Sequence, residues 1–264
     1  MSSSTNLPPE IFDLIIDHLH DEPTTLRACS LVSKSWVPRT RRHLFDRVEL
    51  DMEYGPFLES WMGFFPDPST SPAHHTRFLV FRRFLAIAAD ATDILTHTRS
   101  FCHITGLEVT TTSAKNDHRL SLFPLHGLSP TLKSLSLDYE LLPVSEILNL
   151  ICSFPLLEDL TLGSYSFGKG TEGWDIPSTS PKLTGTLVLN NDHLLITRGL
   201  LSLPNGLHFS KITLVRPVED AELTMEVASK CSDTLEFLSI RYYRRRAFSS
   251  VSVVGHHLTF VRYS

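Results

Sequence analysis

Several features that mark enzymes, secreted proteins or membrane proteins are absent from the sequence. The 264 residues include only four cysteines, at positions 29, 102, 152 and 231, and no two have the Cys-x-x-Cys spacing of a metal or redox site. No apolar run approaches the ~20 residues that a membrane-spanning helix needs. The first ten residues, MSSSTNLPPE, lack the charged and apolar regions of a secretory signal. We therefore expect reduced, buried thiols in an intracellular protein of the cytoplasm, the nucleus or both.

Motifs of catalysis and of metal binding are absent as well. The chain has no GxSxG, HExxH, Walker or GxGxxG motif. Histidine is frequent, with 13 residues, but His74-His75 and His256-His257 are adjacent pairs. Adjacent side chains point to different sides of a strand or helix, so neither pair is a natural metal ligand set. We expect no enzymatic activity, no metal and no cofactor.

Charge of neither sign is in large excess. The chain has 24 Lys and Arg residues against 29 Asp and Glu residues, which gives a net charge of −5. This balance provides no general attraction for nucleic acid or for an anionic membrane, and we expect neither as a partner. The basic runs 39–43 and 241–246 raise a nucleic-acid hypothesis. Solvated helix and strand ends are the simpler interpretation.

Apolar residues recur at helical spacing within the first fifty residues. Three short segments carry them: Ile11, Leu14, Ile15 and Leu19; Leu26, Cys29, Val32 and Trp36; Leu44, Phe45 and Val48. Thr24 or Thr25 can cap the second predicted helix, and Pro38 suits the first turn of the third. Three helices in so short a segment have too little chain for a secure core of their own. The surplus apolar surface indicates a partner protein.

This segment, residues 5–50, resembles an F-box. The resemblance rests on the ordered set Leu7-Pro8-x-Glu10-Ile11, Ile15, Leu19, Leu26, Val32-Ser33-Lys34-x-Trp36 and Leu44. F-boxes are three-helix modules that dock on the Skp adaptor of cullin-RING ubiquitin ligases, while the remainder of the protein usually holds the substrate. The resemblance implies that the adaptor is bound by Leu7, Pro8, Ile11, Ile15, Leu19, Leu26, Val32 and Trp36. The alternative is an ordinary amphipathic hairpin at the start of a globular domain.

Strand-like segments recur with a period near 26 residues after residue 104. The first of two alternating apolar positions falls at Leu107, Leu135, Leu160, Leu187, Ile212 and Leu238. Helix-compatible segments at 144–154, 192–202 and 218–231 lie between them. Stacked strand–turn–helix units predict an α/β solenoid with a curved parallel sheet and outer helices. The pattern resembles the degenerate leucine-rich repeats found behind many F-boxes, although the usual asparagine or cysteine after the second leucine is mostly missing.

The remaining segments complete the predicted organisation. Residues 51–77 are proline-rich and predict a connector, and residues 78–98 have helical spacing. The substrate-binding domain is then predicted to cover residues 78–264. The glycine-rich segment 164–174 predicts a loop. The last residues lack a polar capping repeat, so we expect either that the last strand closes the sheet itself or that the sequence is shortened.

Strand alternation predicts where a partner binds. If the repeated leucines face the core, the residues between them face the concave side of the sheet. Tyr and Arg most often anchor interfaces, and such residues occur on this side or just beyond the strand ends. The substrate-binding candidates are Asp138, Tyr139, Tyr165, Asn190, Arg216, Arg241 and Tyr242. For any one of them, a merely solvated position is an equal alternative.

Together, these features predict the substrate-recognition subunit of a Skp–cullin–F-box ubiquitin ligase. Its expected partners are the Skp adaptor, the cullin and a protein target, and it performs no chemistry itself. The alternative is a leucine-rich-repeat scaffold whose helices bind an adaptor or another protein without any link to ubiquitination. A third class, an enzyme or an RNA-binding module, lacks the required motifs.

Overall fold

The computed structural model describes 12 segments of the chain. They are residues 8–51, 63–64, 71–82, 101–111, 122, 125–126, 128–139, 142–164, 178–190, 194–217, 221–243 and 256–261. Within them the structure is of the α/β class, with three helices at the N-terminus followed by a single large sheet and three further helices.

Three short helices form the N-terminal module. They are α1 (Pro9–His18), α2 (Pro23–Val32) and α3 (Val37–Leu44), and a 3-10 turn at Lys34–Trp36 joins the last two. Each begins with a proline in its first turn, where no amide donor is needed. Ile16 and Leu26 are fully buried, and the Phe12 and Trp36 rings pack with centroids 5.2 Å apart. This small core is the apolar interior of the module.

Nine strands form one sheet whose spatial order is the order of the sequence. They are β1 (Arg47–Asp51), β2 (Phe78–Arg82), β3 (Gly106–Thr110), β4 (Ser134–Tyr139), β5 (Asp159–Ser164), β6 (Thr186–Asn190), β7 (Lys211–Pro217), β8 (Phe237–Tyr243) and β9 (His256–Val261). Strands β1 to β8 are parallel, and β9 pairs with β8 in the antiparallel direction. Each unit therefore stacks only on its sequence neighbours, as in a solenoid.

The repeated apolar residues lie in register across the parallel strands. Leu107, Leu135, Leu160, Leu187, Ile212 and Leu238 pair one with the next. All but Leu238, which is half-buried, are at most 2 % exposed. They pack against α4 (Val144–Cys152), α5 (Leu194–Leu201) and α6 (Ala221–Lys230), whose apolar sides complete the core. The predicted parallel sheet with helices on one side is confirmed.

A backbone hydrogen-bond pattern repeats just before most strands. The carbonyl oxygen of Arg77 accepts from the amides of both Thr105 and Gly106, at 2.8 and 2.9 Å. The carbonyl of Lys133 does the same for Glu158 and Asp159. Two amides of one unit are thus satisfied by a single carbonyl of the unit before it, which fixes the start of each strand relative to its neighbour.

The helical module continues into the sheet without a spacer. Asp46 lies between α3 and β1, and its carbonyl accepts from the amides of Arg77 and Phe78, both at 2.9 Å. Phe45 packs against the core of the sheet. The 3-10 turn Pro72–His75 contacts α3. The last residues of the segment that resembles an F-box therefore already belong to the sheet.

The structure differs from the sequence-based expectations in several places. The helix expected at 78–98 is wrong over Phe78–Arg82, which is a strand, and residues 83–100 lie outside the described part. Helix α2 begins at Pro23, so Thr24 and Thr25 are inside it and do not cap it. The four cysteines are free, but of the four thiols that were expected to be buried only Cys231 is; Cys29 and Cys152 are half-buried and Cys102 is exposed. Pro38 lies in the first turn of α3, as expected.

Candidate interaction surfaces

Helix α1 has two apolar sides, and only one of them is used inside the protein. Ile16 points into the module and is fully buried. Ile11, Leu14 and Ile15 lie at spacings of three and four residues and are 40, 57 and 46 % exposed. Exposed aliphatic side chains that share one face are typical of a surface that another protein covers. We call Ile11, Leu14 and Ile15 the apolar face of α1.

The other predicted adaptor-binding residues are distributed over surface and interior. Val32, at the end of α2, is 69 % exposed, and its neighbour Leu31 is 88 % exposed. Pro8 is exposed, whereas Leu19 and Trp36 are half-buried. Leu26 is only 1 % exposed, so its side chain supports the module from within and is not on the surface. Leu7 lies outside the described residues.

A polar cluster joins α1 to α3. Asp17 accepts hydrogen bonds from Arg39 and also contacts His43, whose Nε2 lies 2.8 Å from Asp17 Oδ1. The hydrogen bonds from Arg39, followed by the contact with His43, hold the pKa of the Asp17 carboxyl well below its usual range. Asp17 is therefore charged under all ordinary conditions. Sequence periodicity gave no signal for this cluster, because Arg39 and His43 lie 22 and 26 positions after Asp17.

The sheet presents a second surface on the side opposite the helical layer. The alternate residues of β1 to β8 form three rows there, and we call this surface the polar face. One row contains Thr110, Asp138, Gly163, Asn190, Val215 and Arg241, in register on successive strands. The structure thus brings Asp138, Asn190 and Arg241 into a single row. Asp138 lies over Gly163, where a Cβ atom would be 2.9 Å from Asp138 Oδ1.

The remaining substrate-binding candidates are placed only in part. The backbones of Tyr139, Arg216 and Tyr242 lie at the ends of β4, β7 and β8, next to the row that contains Asp138. Their side chains lie outside the described part of the structure. Tyr165 and the rest of the glycine-rich segment, up to residue 174, are outside it too.

An ion-pair network crosses the first three strands of the polar face. Arg47 Nη2 lies 2.8 Å from Glu108 Oε2, and Arg82 lies 2.9 Å from Glu49 and 3.5 Å from Glu108. Val80, on the middle strand of the three, is fully buried although it faces this side. The sequence did not predict this network, because β1 and β2 were not identified as strands. Only when both are strands do the four charged side chains lie on one surface.

The described residues contain neither a cluster suited to a metal ion nor a helix suited to a membrane. No group of three or more His, Cys, Asp or Glu side chains there is arranged to hold a metal ion. None of the helices in the described ranges is long and apolar enough to cross a membrane. In comparisons of the whole chain, no protein-family model, no curated protein and no solved structure matches it.

Proposed function

We propose that this protein is the substrate-recognition subunit of a Skp–cullin–F-box ubiquitin ligase. In this proposal the N-terminal module binds the Skp adaptor and the polar face of the sheet binds a protein target. The observation that carries the proposal is the exposed apolar face of α1 on a module of three short helices. Its support from the sequence is the resemblance of residues 5–50 to an F-box.

The exposed aliphatic residues account for the adaptor side of the proposal. Ile11, Ile15 and Val32 are 40, 46 and 69 % exposed, so a partner that covers them gains apolar contact without any rearrangement of the module. Ile16 and Leu26 are already used inside. The module therefore separates residues that hold it together from residues that are available for binding.

The target side of the proposal rests on the regular polar face. Parallel strands at a spacing of about 4.8 Å bring residues from distant parts of the sequence into one row. Asp138, Asn190 and Arg241 are such residues, although about a hundred positions separate the first from the last. A receptor of this kind needs no catalytic group, because it acts by raising the effective concentration of target at the ligase.

Co-precipitation with purified adaptor tests the adaptor side. The variant Ile11→Ala/Ile15→Ala/Val32→Ala should lose binding, since truncation of apolar anchors at an interface costs on the order of 2 kcal/mol each. A matched control is Leu156→Ala/Met225→Ala, which removes apolar side chains that are 51 and 62 % exposed and lie outside the N-terminal module. The control should bind like the wild type. Equal adaptor binding by the triple variant would overturn the proposal.

The presence of a cullin separates the proposal from its alternative. A complex purified from cells that contains adaptor, cullin and this chain supports a ligase subunit. A complex with adaptor but no cullin supports a leucine-rich-repeat scaffold without a link to ubiquitination.

A further inference from the structure

The described cations of the polar face are paired with acids at one end of the sheet and have no acidic partner at the other. On β1 to β3, Arg47 and Arg82 are neutralised by Glu49 and Glu108. On β5, Asp159 accepts a hydrogen bond from the Thr186 amide at 2.6 Å. Asp51 and Asp138, in another row, are also engaged.

Lys211 and Arg241 differ from Arg47 and Arg82 in their surroundings. Both are exposed on the polar face, on the neighbouring strands β7 and β8. Among the described side chains, neither has an acidic partner within ion-pair distance. Among the described side chains, the two cations of this face that lack an acidic partner therefore lie together at the C-terminal end of the sheet.

The separation of these two cations is defined by the strand register. Lys211 pairs with Phe237, and Arg241 lies four residues further along β8. At about 3.3 Å per residue, their positions are about 13 Å apart along the strands. An extended peptide has the same rise, and residues four apart project from the same side of it. Two carboxylates four residues apart on an extended segment therefore match the two cations.

The side chains between the two cations on the polar face are short. Thr213 and Ser239 are paired on β7 and β8 between them, and both have short side chains. Thr213 is half-buried and Ser239 is 5 % exposed. No long described side chain of these two strands stands between Lys211 and Arg241 on this face.

We propose that β7 and β8 bind an extended acidic segment of a polypeptide, with one carboxylate at Lys211 and a second, four residues away, at Arg241. The inference deepens the proposed function, since it names the chemical class of the target. It does not need the adaptor, and its test is independent of adaptor binding.

A polypeptide fits this surface better than a nucleic acid does. A single strand of nucleic acid carries a charge at every nucleotide and gains most of its affinity from a continuous basic groove with stacked aromatic residues. Here Asp138 and Asp159 lie on β4 and β5, only about 10 to 15 Å from β7. A continuous polyanion would be repelled by these acids, whereas a short acidic segment on β7 and β8 avoids them.

Peptide selection on the full chain tests the inference. A random 12-residue peptide library, displayed on phage, is selected in parallel on the immobilised wild type, on Lys211→Glu/Arg241→Glu and on Arg198→Glu/Lys230→Glu. Arg198 and Lys230 are exposed residues of α5 and α6, so the third protein has the same change in net charge on the opposite side of the molecule. Thermal unfolding of all three proteins verifies that they are folded.

The wild type and the control should enrich peptides with two acidic residues four positions apart. A synthetic peptide of the selected sequence should bind the Lys211→Glu/Arg241→Glu variant about tenfold more weakly, and binding to the wild type should weaken as salt is added. The inference is overturned if no acidic peptide is enriched, if the reversed variant selects the same peptides, or if a single-stranded oligonucleotide binds more tightly than the selected peptide. These outcomes leave adaptor binding unaffected, so a failure here is distinguishable from a failure of the proposed function.

Discussion

At the scale of single residues, Asp17 ties the first helix to the third. It receives hydrogen bonds from Arg39, and His43 contacts the same carboxylate. We expect Asp17→Asn, which keeps the size of the side chain and removes its charge, to lower the Tm at neutral pH. Because about a third of the Asp17 and Arg39 side chains is exposed to water, the loss should remain below about 1 kcal/mol.

The pH dependence of this difference is a further check. The folded-state pKa of Asp17 is lowered, chiefly by the hydrogen bonds from Arg39. Its contribution is therefore fully present above the unfolded-state pKa of about 3.9 and is lost as the pH falls from there toward the folded-state pKa. The Tm difference between the wild type and Asp17→Asn should therefore be smaller at about pH 3 than at about pH 5. A difference that grows on acidification would contradict this assignment.

The four thiols should differ in reactivity. Cys102 is exposed, whereas burial raises the pKa of the Cys152 thiol to about 11 and also raises that of Cys231. The thiolate is the reactive form, so a buried thiol with a raised pKa reacts slowly. We expect iodoacetamide to modify Cys102 in the native protein well before Cys152 and Cys231. Peptide mass spectrometry after timed quenching measures the order, and denatured protein, in which all four should react alike, is the control.

At the scale of single elements, the stability of the sheet depends on the register of its leucines. Leu160 is fully buried and lies between Leu135 and Leu187 on the adjacent strands. Leu160→Ala should cost roughly 2–5 kcal/mol, because it leaves a cavity in the core. Leu156→Ala removes the same atoms from a side chain that is 51 % exposed and should cost below about 0.5 kcal/mol. Chemical denaturation of both variants measures the two losses, and equal losses would contradict the register.

Gly106 is required by the aromatic ring on the strand beside it. Phe78 pairs with Gly106, and a Cβ atom at Gly106 would overlap the Phe78 ring. Gly106→Ala should therefore destabilise the wild type by displacing the ring. In a Phe78→Ala background the same change should be neutral or stabilising by up to about 1 kcal/mol, since alanine restricts the unfolded chain. A double-mutant cycle by thermal unfolding measures the coupling, and simple additivity would show that the ring is not the obstacle.

The strands differed in how far the sequence could predict them. From β3 to β8, each strand carries two alternating apolar residues at a nearly constant interval, and these strands are where they were expected. Val48 and Leu79 are 31 positions apart, outside that interval, and Phe81, Phe84 and Leu85 also fit the spacing of a helix. β1 and β2 were therefore missed. β9 was missed because a reversal of chain direction carries no periodic signal.

The candidate surfaces show the same dependence on register. Alternation alone placed Asp138, Asn190 and Arg241 on one side of the sheet, and the register puts them in one row. Their role in binding stays a prediction. The predicted pattern at the N-terminus did not separate Leu26, which is buried, from Val32, which is exposed. Helical spacing identifies a face but not what covers it.

At the scale of the whole molecule, the last residues of the segment that resembles an F-box, those of β1, are expected to stabilise the sheet. Val48 and Leu50 of β1 are buried in the sheet, and Arg47 and Glu49 supply half of the ion-pair network. A fragment 46–264 should therefore unfold at a higher temperature than a fragment 78–264, which loses β1 and leaves β2 as an open edge. Thermal unfolding and gel filtration of the two fragments test this. Equal stability would support a boundary at residue 78.

The strands follow one another in space in the order of the sequence, so the number of strands determines the length of the sheet. From β1, which follows α3 directly, to β7, which carries Lys211, there are six strand spacings of about 4.8 Å, or about 29 Å along the sheet. Removal of one complete unit, from a leucine of one strand to its counterpart on the next, should leave both ends intact and bring them about 5 Å closer together. The number of units in the chain thus sets the distance between a partner bound to α1 and a partner bound to β7 and β8. This distance can change only in steps of one strand spacing.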